Sequence, residues 1–88
     1  MVAKTIIYEL RIDHTNKFFW SLARIRAALK KLPEETQFKS YGGVKLSRTQ
    51  ALCTRWWKEE LDKWGMASFI CRYDNECKSI DILNHEVN

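Results

Sequence analysis

The change of hydrophobic period at Gly65 constrains this chain more than any other feature. Before it, Cys53, Trp57, Leu61 and Trp64 fall on one narrow stripe at the 100° step of a helix. After it, Ala67, Phe69, Cys71 and Tyr73 alternate with Ser68, Ile70 and Arg72, which is the two-residue period of a strand. The helix has a marked start, because Ser47 and Gln50 form the S-x-x-Q pattern of a capping box. Gly65 marks its stop, since glycine takes the left-handed conformation that closes a helix. Residues 47–64, Ser47 to Trp64, therefore read as one helix. Two adjacent tryptophans cannot both point into one core, so Trp57 is the expected core member and Trp56 the shoulder beside Leu52. Asp74-Asn75-Glu76 reads as a turn and Ser79-Ile80-Asp81-Ile82 alternates again, giving a hairpin over residues 67–83. Residues 84–88 are polar and expected to fray.

Upstream, Thr5–Ile12 alternates cleanly, with Ile6, Tyr8, Leu10 and Ile12 on one side, as a half-buried strand does. Residues 1–4 are expected to be disordered or to extend an edge. Asp13-His14-Thr15-Asn16 reads as a turn, and Thr15 or Asn16 can cap the helix expected after it. Residues 17–32 read as that second helix, because Phe18, Leu22, Ile25, Leu29 and Leu32 recur at four-three-four-three spacing. Pro33 ends it, lacking an N–H and disfavouring helix in the residue before it. Residues 33–46 stay open between a helical turn at Glu34-Glu35 and a short strand over 37–41, with Gly42-Gly43 as a turn. No repeat or linker divides the chain, and 88 residues make one domain, 1–88.

Composition narrows the function class. With 45% hydrophobic and 30% charged residues the chain is an ordinary globule rather than a disordered segment. It has no apolar run of about 20 residues to span a bilayer and no basic-then-apolar signal segment, so no membrane partner and a cytoplasmic location are expected. The three cysteines, Cys53, Cys71 and Cys77, contain no C-x-x-C pair, and His14 and His85 lie far apart. No metal site and no cofactor are expected, and the cysteines read as free thiols in a reducing compartment, although Cys71 and Cys77 flank the turn and could oxidise. No nucleophile with a base and no phosphate-binding glycine loop is present, so the chain is not expected to be an enzyme.

Charge is segregated. Residues 1–58 hold twelve Lys/Arg and four Asp/Glu, while residues 59–88 hold three and seven. A basic portion of this kind attracts a polyanion. Arg48, Thr49, Gln50 and Arg55, at or near the amino end of the 47–64 helix, are residue types that read bases or grip phosphates. Arg24, Lys39 and Lys45 add positive charge, and Trp56 can stack or wedge. The same residue types also fill ordinary solvent faces.

The run Leu46-Ser47-Arg48-Thr49-Gln50, then Leu61-Asp62-Lys63-Trp64-Gly65-Met66, then Phe69 to Asp74 and Ser79 to Ile82, resembles winged helix-turn-helix domains. In that family a capped recognition helix ends near a glycine and runs into a two-stranded wing. The resemblance covers roughly the last 40 residues. It implies that Arg48, Thr49 and Gln50 enter the DNA major groove while Arg72 or Lys78 on the wing meets the backbone. The expected fold class is thus α+β, two main helices packed with a small antiparallel sheet, winged-helix-like. The alternative is a two-layer α/β sandwich ordered strand–helix–(short strand)–helix–strand–strand.

Two functions from different classes fit these residues. The first is a DNA-binding regulator, with RNA as a further nucleic-acid partner. The second is an inhibitor or adaptor, of the kind common among small cytosolic and phage-encoded proteins, that grips a protein or nucleoprotein through an exposed Trp/Arg surface. An exposed strand edge at Thr5–Ile12 would also allow a homodimer. Clustered Arg24, Arg26, Lys39, Lys45, Arg48 and Arg55 would favour nucleic acid. Scattered charge beside an exposed aromatic patch would favour a protein.

Overall fold

Among the described residues six strands form one antiparallel sheet, and three helices lie on one of its faces. The structure, a computed structural model, describes residues 4–87. The strands are β1 (Thr5–Ile12), β2 (Thr15–Phe19), β3 (Gln37–Lys39), β4 (Lys45–Leu46), β5 (Met66–Tyr73) and β6 (Glu76–Val87). The helices are α1 (Leu22–Leu29), α2 (Arg48–Ala51) and α3 (Thr54–Trp64). The sheet order is β2-β1-β6-β5-β3-β4. Tight turns set the registers. Asp74 and Asn75 both carry positive φ (49° and 61°), which matches the right-handed twist of the β5–β6 hairpin. Asp13, at φ 54°, opens the two-residue β1–β2 turn.

Alternation then sorts side chains between the faces. Leu10, Ile80, Ile82, Ala67, Phe69, Cys71 and Phe38 point to the inner face and are buried there. They meet Ile25 and Leu29 of α1, Ala51 of α2, and Trp57 and Leu61 of α3. Trp57 is 0% exposed, stacks on Phe69 with centroids 6.5 Å apart, and donates its indole N–H to the Ala51 carbonyl at 2.9 Å.

This architecture overturns the expected winged-helix-like pair of helices with a small sheet. Residues 17–19, assigned to a helix, belong to β2, whose Phe18 pairs with Glu9 and Lys17 with Leu10. The real helix starts later, at an N-cap missed in the sequence, where the Ser21 hydroxyl accepts from the Arg24 N–H at 3.3 Å. The alternative sandwich order fails at the same place, since a second strand comes directly after β1.

The single helix over 47–64 is two. Its capping box is present, with Gln50 N donating to Ser47 Oγ and Ser47 N to Gln50 Oε1. However, Leu52 (φ −101°, ψ 24°) and Cys53 (φ −86°, ψ 107°) interrupt it. Two side chains replace the helical donors: Trp57 occupies the Ala51 carbonyl and Arg26 Nε the Leu52 carbonyl at 2.9 Å. The break lets Leu52 and Trp57 both turn inward. Gly65 closes α3 at φ 73° as expected, but Trp64, placed on the core stripe, is 75% exposed. Residues 84–87, expected to fray, continue β6 against β1, where Thr5 pairs with Val87. Asn88 and residues 1–3 of the expected amino-terminal extension lie outside the described residues. Strand β1 is not an edge over Tyr8–Ile12, because β2 covers it, and this removes most of the expected dimer edge.

Candidate functional site

The β3–β4 hairpin carries or adjoins candidate residues on both of its sides, three on each. Its five-residue loop is held by Ser40, whose N–H donates to the Val44 carbonyl at 2.8 Å and whose hydroxyl accepts from the Val44 N–H at 3.1 Å. Gly43 sits at φ 85°, a conformation that favours glycine. Lys39 pairs with Lys45 and Phe38 with Leu46, so the hairpin has one basic side and one apolar side.

The apolar side forms a groove of about 540 Å³ with the helices. Val44 and Leu46 supply one wall, and Thr49, Gln50, Cys53 and Trp56 the other. Trp56 is half-buried and its inner edge contacts Phe69, with centroids 6.1 Å apart. Phe69 therefore fixes the indole while leaving part of it facing the groove. Val44 is 63% exposed at the rim. Sequence reasoning found Thr49, Gln50 and Trp56 but missed Val44 and Leu46. Only the apolar residues around the Gly42-Gly43 turn signalled them.

The basic side belongs to the sheet's open face. Lys39, Lys45 and Arg72 share it, since Lys39 pairs with Lys45 and Ile70 while Gln37 pairs with Arg72. Among the described residues none of these three cations forms an ion pair. Directly opposed like charges destabilise a strand pair. Tyr41 crosses the same face, its hydroxyl bonded to Ser79.

The remaining candidates do not join this surface. Arg48, expected in a DNA groove, is half-buried. Its guanidinium donates to the Pro33, Lys30 and Leu32 carbonyls, each at 2.9 Å, closing the end of α1. Three of its five N–H donors are engaged within the protein, and a four-residue α2 leaves little helix to enter a groove. Arg24 is exposed on α1, and Arg55 is exposed on α3 beside Glu59 at 3.9 Å. Lys78, expected on a DNA-facing wing, lies on the inner face over the Tyr73 ring. The charges are thus scattered, with the half-buried Arg26 and Arg48 bonded to backbone carbonyls of the protein itself.

One polar cluster was not anticipated. Glu9 is 3% exposed although it lies on the open face. Its carboxylate accepts from Arg11 Nε at 2.6 Å, His85 Nε2 at 2.7 Å and Asn16 Nδ2 at 3.4 Å. The Arg11 hydrogen bond is the main influence holding its pKa below the ordinary carboxylate value, against the opposing effect of burial. Both oxygens are occupied, so the cluster ties β1, β2 and β6 together. Among the described residues no group of three His, Cys, Asp or Glu side chains is placed to hold a metal ion. No described helix is long and apolar enough to cross a membrane.

No protein-family model, curated protein or solved structure matches this chain.

Proposed function

We propose that this chain is a small non-catalytic binding module, an inhibitor or adaptor, that captures a protein segment in the groove between the β3–β4 hairpin and α2/α3. The observation that carries this reading is the half-exposed Trp56, fixed by Phe69 in the wall of an apolar groove. Interface hot spots are enriched in tryptophan seated in desolvated pockets. The segment it fits has a bulky apolar anchor for the groove and acidic neighbours for Lys39 and Lys45 on the hairpin's other side. The free Cys53, Cys71 and Cys77 support a reducing, cytoplasmic setting.

The test is selection from a random-peptide display library. Enriched peptides should carry an aliphatic or aromatic anchor with acidic flanks. Trp56→Ala and Val44→Asp should each weaken them at least tenfold, with the thermal transition of the protein retained. Failure to enrich, or enriched peptides indifferent to both changes, would overturn the reading.

A nucleic-acid reading draws support from a different observation, the Lys39, Lys45 and Arg72 cluster with Tyr41 beside it on the open face. Backbone-tracking cations beside aromatic side chains bind single strands. Titration with a single-stranded oligonucleotide at two salt concentrations separates the readings, because phosphate contacts weaken steeply with salt.

A further inference from the structure

The helical layer is shorter than the sheet beneath it. Helix α1 has eight residues and spans about 12 Å. Strand β1, also of eight residues, runs about 27 Å. After Leu29 the chain turns at Lys30 and leaves toward β3, so the inner face near the Asp13 and Asp74 turns has no helix over it. What remains is a cavity of about 370 Å³, within the ~300–1,000 Å³ range of small-ligand pockets. It is separate from the Trp56 groove and shares no lining residue with it.

Its chemistry is lopsided. Its accessible apolar lining is Ile12, Phe19, Ala28, Leu32 and Tyr73, backed by the buried Leu10, Leu29 and Ile80. Three lysines, Lys17, Lys31 and Lys78, line it, and among the described residues no acidic side chain does. They come from three separate elements, as Lys17 pairs with Leu10 on β2, Lys78 pairs with Cys71 on β6, and Lys31 lies just beyond α1. Lys78 is held by Tyr73, its Nζ 5.5 Å from the ring centroid. Glu76 reaches it only at 3.9 Å with a side chain 67% exposed. Three like charges around an apolar lining repel one another unless an anion sits among them.

We propose that this cavity binds a medium-chain carboxylate, its hydrocarbon body on Ile12, Phe19 and Leu32 and its head among Lys17, Lys31 and Lys78. The body replaces water on the apolar lining, and the single negative charge of the head offsets part of the repulsion among the lysines. The amide spectrum of the whole chain, titrated with decanoate below its micellar range, tests this. Decanoate should saturate a single site and shift the amides of Ile12, Ala28 and Ile80. Decanol, which lacks the charge, and butyrate, which lacks the body, should each bind at least tenfold more weakly.

Ala28→Phe should fill the cavity and abolish the decanoate shifts with the spectrum otherwise retained. Lys17→Gln combined with Lys31→Gln, both at exposed positions, should weaken decanoate about tenfold and leave decanol unchanged. The second variant keeps the test alive if the first disturbs folding. Equal binding of decanoate and decanol, shifts confined to the Val44–Trp56 groove, or no saturation would each overturn the proposal.

Discussion

The two faces of the sheet solve burial in opposite ways. The inner face buries apolar side chains against helices, and its centre is the Trp57–Phe69 stack. Among the described residues the open face has no helix over it, yet it buries Glu9, shielding a carboxylate with Arg11, Asn16 and His85. On the inner face stability comes mainly from area removed from water and is nearly independent of pH. On the open face it comes from donors around one charge, so it responds to protonation.

The contrast breaks most readily at Trp57. Trp57→Ala should cost about 3–5 kcal/mol, as large-to-small changes in a packed core do, and urea unfolding measures it. A cost below that of any open-face change would reverse the assignment of the core. Next comes Glu9→Gln, which should cost about 1–2 kcal/mol near neutral pH by weakening charge-assisted hydrogen bonds to partly exposed donors. Its folded pKa lies below the ordinary 4.5, so its stabilisation is present above that value and is lost as pH falls through the folded value. Thermal melts from neutral to acid pH should converge for the variant and the parent, whereas parallel curves would remove Glu9 as the acid-sensitive group.

A smaller effect, of opposite sign, is expected at the hairpin. Lys45→Glu should stabilise by roughly 0.2–1 kcal/mol, replacing a like-charge cross-strand pair with an attractive one. Denaturant midpoints will show whether the sign is right. The finest test leaves stability unchanged. Cys71 and Cys77 flank one turn, but Cys71 is buried inside and Cys77 is exposed on the open face. Burial also pushes the Cys71 thiol pKa up. Iodoacetamide should label Cys77 in the folded protein and Cys71 only on unfolding. Ready labelling of Cys71 would mean that the inner face opens far more easily than its packing implies.

Local signals in the sequence were read correctly where local chemistry makes the structure. Ser47 with Gln50, Gly65, and Asp74 with Asn75 each act within a few residues, and each does in the structure what its type favours. Residues 17–19 were misread because Phe18 fits the four-three spacing of Leu22, Ile25 and Leu29, while its strand partner Glu9 is found only through the Asp13 turn. The break at Leu52–Cys53 was hidden for a similar reason, since one of the donors that replaces the helical bonds is the distant Arg26. Arg48 looked like a groove reader because the carbonyls it binds belong to another element. Of the site, Trp56 was legible as the second of two adjacent tryptophans. The groove wall at Val44 and Leu46 needed the β3–β4 pairing, and the lysine-rimmed cavity needed the sheet order.

That sheet order has a consequence for how the protein is made. Strand β6 sits between β1 and β5, so Thr5 cannot pair until Val87 has been synthesised. At ~5–20 residues per second, the ribosome takes roughly 4–16 s to produce the stretch between them. Throughout that interval β1 and β2 have only each other, and a lone hairpin is marginal in water. Folding is thereby tied to the synthesis of β6, and a nascent chain interrupted after Tyr73 lacks the strand that joins its two halves. Such a chain exposes two unpaired strand edges, and aggregation or proteolysis is its natural fate.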